Sequence, residues 1–254
     1  MAFDGPIWEG VYSSFSEVPV TGPGFDGEAW VNNSLNKIRT LREDAEKNTP
    51  LPPPSNYREG LLPLLAALVY SEQKELRILD FGGGIGFTYY QTLYALPRTR
   101  GLEYHIVEQE TVCQAGREFF IQEADRLFFH VALEEVRGTF DIVHIGSALH
   151  YVKEWRTLLA NLCALSPKYL LLVDVLTGNI TTFATAQHYY NSRIPTWFLN
   201  IAELLEEVNS LGYDLTYKSK FHSTIFGAEQ SIPMGNFDHK YRIDQTCNLL
   251  FLRR

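Results

Sequence analysis

The residues with the plainest chemical purpose are Asp80-Phe81-Gly82-Gly83-Gly84-Ile85-Gly86. They follow the apolar run Leu76 to Phe81, which reads as a buried strand. They precede Phe87 to Leu96, which reads as a helix stopped by Pro97. Glycines between a strand and a helix permit a tight turn and let a ligand approach the backbone closely. The spacing is not that of a dinucleotide-binding loop. G-x-G-x-x-G asks for a glycine three residues after Gly86, where Tyr89 stands. A carboxylate at Asp80 would also repel a bound pyrophosphate, whereas it suits a cationic ligand, directly or through water. The plainer alternative is that Asp80 only caps the turn and the glycines only pack.

A second acid, Glu108, ends the strand-like Tyr104 to Val107, and Gln109 follows it. A carboxylate there can accept both hydroxyls of a ribose in a bidentate hydrogen bond. NAD enzymes use the same device, so Glu108 supports an adenosine ligand without choosing the cofactor. Its alternative is an exposed acid in a charged loop with Glu110. S-adenosyl-L-methionine joins an adenosine to a sulfonium and an α-amino group, both positive, and so meets both demands. On this reading Asp80, Phe81, Gly82, Gly83, Gly84 and Gly86 hold the methionine end, and Glu108 and Gln109 hold the ribose. His130, Val131, Ala132, Gly146 and Ser147 flank the adenine and the sulfur.

Acceptor chemistry is less sharply written. His150 follows the fourth strand and could deprotonate a hydroxyl or amine near neutral pH; a structural turn is the alternative. Asp174 ends the fifth strand, where it orients an acceptor or caps a turn. Two segments, Trp8 to Phe15 and Gln187 to Phe198, are rich in aromatics with polar handles, which suit a ring or sugar acceptor; ordinary packing is the alternative for any single ring. From them Tyr189 is a candidate catalytic residue, and Trp8, Tyr12, Gln187 and Tyr190 are candidate acceptor contacts. His130, His144, His222 and His239 lack partners at metal-ligand spacing, so no metal site is expected.

The elements that must position these groups alternate along the chain. Strands are expected at Leu76–Phe81, Tyr104–Val107, Leu127–Phe129, Phe140–Ile145 and Tyr169–Val175. Helices are expected at Tyr57–Ser71, Phe87–Leu96, Thr111–Ala124, Glu154–Leu165 and Ile201–Leu211. Strand-like Asp214–Phe221 and Cys247–Leu252 close the pattern as an antiparallel pair. The fold class is α/β: a Rossmann-like, doubly wound, seven-stranded sheet with helices on both faces. Before it come a helix at about Ala29–Lys47 and the proline-rich Asn48–Asn56 (NTPLPPPSN). Residues 1–56 are expected to form a small helical cap with its linker, and residues 57–254 the cofactor-binding domain.

Composition narrows the partners. The chain has 254 residues and a net charge of -8. An acidic surface without a basic patch disfavours nucleic acid as the acceptor. Three cysteines fit neither a zinc motif nor a disulfide framework. The N-terminus has no secretory pattern, and the longest apolar stretch, Leu61 to Tyr70, is too short to span a bilayer. The expectation is a cytoplasmic protein that binds no membrane and acts on a small molecule, with its oligomeric state open.

LRILDFGGGIG, HIVEQ and FDIVHIGSALHYV resemble motifs of the class I S-adenosylmethionine-dependent methyltransferases. More narrowly, the chain resembles a bacterial family assigned as methyltransferases, with an N-terminal W-x-G-x-Y segment, here Trp8-Glu9-Gly10-Val11-Tyr12. The likeness runs nearly end to end and includes Tyr89-Tyr90-Gln91, Ser147 to Val152, Asp174 and Gln187 to Phe198. That family carries an arginine after the fifth strand's acid, where this chain has Val175. The resemblance implies methyl transfer from S-adenosylmethionine. Two rivals stand beside it: an NAD(P)-dependent oxidoreductase or epimerase, and a non-catalytic methyltransferase-like subunit.

Overall fold

The computed structural model describes residues 6–46, 57–189, 191–221, 224–225, 228–229 and 231–254. The Asn48–Asn56 linker and the candidate Tyr190 lie outside them. In chain order the elements are β1 (Trp8–Tyr12), α1 (Glu28–Glu46), α2 (Tyr57–Gln73), β2 (Leu76–Phe81), α3 (Phe87–Ala95), β3 (Leu102–Val107), α4 (Glu110–Phe119), β4 (Leu127–His130) and β5 (Ile142–Gly146). There follow α5 (Trp155–Ala164), β6 (Tyr169–Val175), β7 (Thr177–Gly178), β8 (Phe183–Tyr189), β9 (Ser192–Asn200) and α6 (Ile201–Ser210). The chain ends with β10 (Tyr213–Phe221), the short β11 (Thr224–Ile225) and β12 (Ala228–Glu229), and β13 (Thr246–Arg253).

Seven strands form one sheet in the order β10-β13-β6-β5-β2-β3-β4. β2 pairs in parallel with β3 on one side and β5 on the other, and β10 with β13 is antiparallel. The α/β class and the seven-stranded sheet are as expected from the alternating pattern. β2 is an interior strand, and its sequence suits burial on both faces: Leu76, Ile78 and Leu79 are fully buried. The chain leaves β2 for β3 in one direction and reaches β5 in the other. The carboxyl end of β2 is therefore a topological switch point, where open α/β sheets bind ligands.

One expected helix is shorter than its sequence suggested. α4 stops at Phe119, and a single 3₁₀ turn, Ile121–Glu123, carries the rest. Phe120 leaves helical geometry with its ring buried against Tyr89 and Tyr90. Burying that ring outweighs one more helical turn of weak intrinsic preference.

The chain folds into two compact units. One comprises Glu28–Gly146 and Leu165–Leu171; the other comprises Met1–Gly27, Ser147–Ala164 and Leu172–Arg254. The second unit holds an element that the sequence pattern did not reveal, a four-stranded sheet in the order β1-β8-β9-β7. Its core is Trp8, Leu176, Ile180, Phe183, Phe198, Ile232, Met234, Phe237 and Ile243. α6 begins on a side-chain cap: Asn200 Oδ1 accepts from the N–H groups of Ala202 at 2.8 Å and Glu203 at 3.1 Å.

Candidate functional site

In the first unit the glycine loop leaves β2 and opens α3. Gly82, Gly84 and Gly86 have φ of 72°, 58° and 99°, a region that side chains rarely adopt. Gly82 N–H donates to Val107 O at 2.9 Å, which ties the loop to the end of β3. Gly83 is required for a different reason. A Cβ there would stand 2.7 Å from Asp80 Oδ2, so the loop backbone lies directly on the acid.

Asp80 is 1% exposed, and both its oxygens are held. Tyr104 Oη donates to Oδ2 at 2.7 Å, and His144 Nδ1 lies 2.7 Å from Oδ1. Strand register explains the trio: Asp80 stands opposite Ile106 on β3 and opposite His144 on β5, and Tyr104 is two residues before Ile106. Burial, then the neighbouring Asp80, hold the Tyr104 phenol well above its ordinary value, so it stays a donor. Asp80 thus faces the loop from beneath as a fixed group. Neither Tyr104 nor His144 was singled out from sequence for this role. A histidine inside the apolar run FDIVHI was the available signal.

Glu108 sits over the other side of the loop. Its Oε1 accepts from Gly84 N–H at 3.1 Å and its Oε2 from Gln109 N–H at 3.0 Å. Gln109 is the exposed residue preceding α4. Glu108 N–H donates to His130 O at 3.0 Å, and Cys113 Sγ donates to both Glu108 O and His130 O at 3.3 Å. His130 is thereby beside the ribose candidate. Val131 N–H donates to Glu135 Oε2 at 3.2 Å, Val131 is exposed and Ala132 half-buried. The His130 ring stacks on His105, Nε2 to Nδ1 at 2.9 Å, and burial lowers the pKa of both, that of His105 to about 4. His105 is a second group that sequence reading missed. Gly146 is half-buried under the His144 ring, where a Cβ would lie 2.8 Å from His144 Cε1. Asp80, the glycines, Glu108, Gln109, His130 to Ala132 and Gly146 therefore belong to one unit and gather at the carboxyl ends of its strands.

The second unit carries the acceptor candidates. Ser147 and Asp174 both adopt left-handed backbone, with φ of 54° and 56°. Ser147 Oγ donates to Asp174 Oδ2 at 2.5 Å, and Thr246 Oγ1 donates to Oδ1 at 2.7 Å. Asp174 is 8% exposed. It holds two hydroxyls rather than presenting an open carboxylate. His150 is buried in the 3₁₀ turn Leu149–Tyr151, and its Nδ1 has no hydrogen-bond partner among the described residues. Burial pushes its pKa down to about 4, with Asp174 opposing, so its imidazole is neutral and weakly basic.

The aromatic segments divide. Gln187 is half-buried, and its Oε1 accepts from Tyr151 Oη at 2.7 Å. Tyr189 is 38% exposed and its ring lies 5.8 Å from that of Phe25. Tyr12 is half-buried beside Val18, Ala184, Ala186 and Trp197. Trp8 is 5% exposed, edge-on to Phe198 at 5.6 Å, and belongs to the unit's core. Its ring is interior because β1 pairs with β8, Trp8 opposite Gln187. Among the described residues no cluster of three His, Cys, Asp or Glu could hold a metal ion, and no helix is long and apolar enough to cross a membrane.

Residues 54–217 match the methyltransferase-domain family. In fold the chain is similar to the 1,6-didemethyltoxoflavin-N1-methyltransferase of Burkholderia thailandensis, solved with 1,6-didemethyltoxoflavin and S-adenosylhomocysteine. The identity is 14%, the TM-score 0.52, and the match covers 93% of this chain and 92% of that one. It is also similar to an O-methyltransferase family protein from Burkholderia thailandensis, at 15% identity and a TM-score of 0.50, covering 91% of this chain and 61% of that one. At these identities the likeness is one of fold. No curated protein matches the chain by sequence.

Proposed function

The chain belongs to the methyltransferase-domain family, and from that premise we propose that it transfers the methyl group of S-adenosylmethionine to a small-molecule acceptor. The observation that carries this reading is the glycine loop between two carboxylates, Asp80 beneath it and Glu108 at 3.1 Å from Gly84 N. The donor set fits the cofactor. Positive-φ glycines admit a ligand against the backbone, Glu108 can accept from ribose hydroxyls, and a buried carboxylate favours a cationic amino acid end. Asp80 and the loop would hold the methionine portion, Glu108 and Gln109 the ribose, and His130 to Ala132 with Gly146 the adenine. When bound, S-adenosylmethionine supplies an electrophilic methyl on a positively charged sulfur.

The protein's own contribution is chiefly positioning. His150 is a weak base and Asp174 is occupied by two hydroxyls. Methyl transfer gains much of its rate from alignment of the two reactants, so a strong dyad is not required. A small acceptor is supported by the net charge of -8, which disfavours nucleic acid, and by the small-molecule substrate of the toxoflavin enzyme.

Isothermal titration calorimetry tests the reading. S-adenosylmethionine and S-adenosylhomocysteine should give saturable heat and NADH none. Heat from NADH alone would replace the methyltransferase assignment with an oxidoreductase one.

A further inference from the structure

The first unit holds one tryptophan, Trp30. The other three in the chain, Trp8, Trp155 and Trp197, belong to the second unit. Trp30 stands in the first turn of α1, and its ring reaches the glycine loop. A Cβ built on Gly84 would lie 3.7 Å from Trp30 Cη2, an ordinary van der Waals distance. Leaving aside the chain neighbours of Gly84, this is the only heavy atom of the described residues within 4 Å of that point. The direction matters. Gly84 has φ of 58°, and without a side chain its backbone is open on the side to which a Cβ would project. A ligand that uses this opening to approach the loop meets the indole there. Gly84 N–H also donates to Glu108 Oε1 at 3.1 Å, so the indole and the ribose candidate converge on one glycine.

The rest of α1 supplies the fixed support. Ile38, 1% exposed, is its buried anchor, whereas Trp30 is half-buried. Further along, the Arg42 guanidinium lies 4.0 Å from the centre of the Phe119 ring and 5.5 Å from that of Phe120. Arg42 Nη2 donates to Phe119 O at 3.4 Å and pairs with Glu123 at 3.5 Å. The Phe120 ring in turn closes on Gly86, where a Cβ would lie 3.0 Å from Phe120 Cε2. The second half of α1 is thus held to residues that pack under one glycine of the loop. Its first turn lays an indole against another.

We propose that Trp30 is a cofactor-contacting residue, and that its indole forms the outer wall of the ligand site on the glycine loop. The inference rests on the reading of that loop as the S-adenosylmethionine site. Apolar surface of the cofactor is buried against the indole. Water is excluded beside Asp80 and Glu108, which strengthens the charge contacts they supply.

Two titrations of the full chain with S-adenosylhomocysteine test it. Wild-type tryptophan emission should change saturably, because Trp30 is the one tryptophan in the unit that carries the loop. The change should vanish in Trp30→Phe, which keeps a ring and should bind within about threefold of wild type by calorimetry. Trp30→Ala should bind about tenfold more weakly, the loss of a buried aromatic contact. Circular dichroism identifies the variants that remain folded. An emission change of wild-type size in folded Trp30→Phe, or wild-type affinity in folded Trp30→Ala, overturns the contact and leaves the cofactor reading standing. Tighter binding by Trp30→Ala also overturns it, since the indole would then occupy the site rather than wall it. No heat from wild type overturns the cofactor reading and the contact with it.

Discussion

Glu108 shows how one side chain can serve the loop and its ligand at once. Its two oxygens accept from Gly84 and Gln109 N–H at 3.1 and 3.0 Å, yet a carboxylate has about four acceptor positions. A carboxylate that braces the loop in this way can also accept from ribose hydroxyls. Glu108→Ala removes both functions. Charge-assisted bonds to the ribose should be worth about 1.5–3 kcal/mol, so affinity for S-adenosylhomocysteine should fall tenfold or more by calorimetry. The loop contacts go too, and the ligand-free melting temperature should drop by a few degrees. Unchanged affinity with a lowered melting temperature would leave Glu108 as a loop brace only.

The elements differ in how openly the sequence announced them. β2 and the loop after it were legible because a continuous apolar run, clustered glycines and a following helix agree with one another. The trio around Asp80 was not, since it depends on strand register, which no local pattern states. β8 and β9 were hidden for separate reasons. In β8, small Ala184 and Ala186 share a strand with Thr185 and Gln187, so hydrophobic contrast is low. In β9, Pro195 argues against a strand. It is tolerated because β7 reaches only Leu199 and Asn200, leaving β9 without that neighbour at Pro195. β1 contains Gly10, at φ 81°, where its register with β8 shifts.

The turn after β5 gives a pH prediction at the same scale. His150 there titrates at about 4 when folded, against 6.5 when unfolded, because burial disfavours the imidazolium. Between those values the unfolded chain binds a proton that folded His150 does not, so stability falls as pH falls. The contribution is complete above pH 6.5 and lost progressively toward pH 4. Buried His105, also lowered to about 4, acts in the same direction. Urea midpoints should decline from pH 7 to pH 5. His150→Leu should make the decline shallower while stability at pH 7 holds or rises, since it removes a buried nitrogen that has no hydrogen-bond partner among the described residues. A decline of equal slope in the variant would show that other groups set it.

At the scale of the molecule, β1 is a strand of the second unit's four-stranded sheet. β1 pairs with β8 across 172 positions or more of sequence, Thr185 Oγ1 donates to Glu9 O at 3.1 Å, and Asn236 Nδ2 donates to Trp8 O at 2.9 Å. The indole is packed among residues drawn from β8, β9 and the 232–243 stretch, all from the distant C-terminal half. Such long-range closure is entropically expensive to form and is retained only if the burial it permits is large. Trp8→Ala should therefore destabilise the protein by about 3–5 kcal/mol, as for other buried aromatic truncations. Val11→Ala, on the same strand but 43% exposed, should change stability by about 0.5 kcal/mol or less. Chemical denaturation of the two variants decides between strand and cap: a large loss for Trp8 alone is the signature of a core residue, whereas two small losses would return the indole to the surface and restore it as a candidate for touching the acceptor.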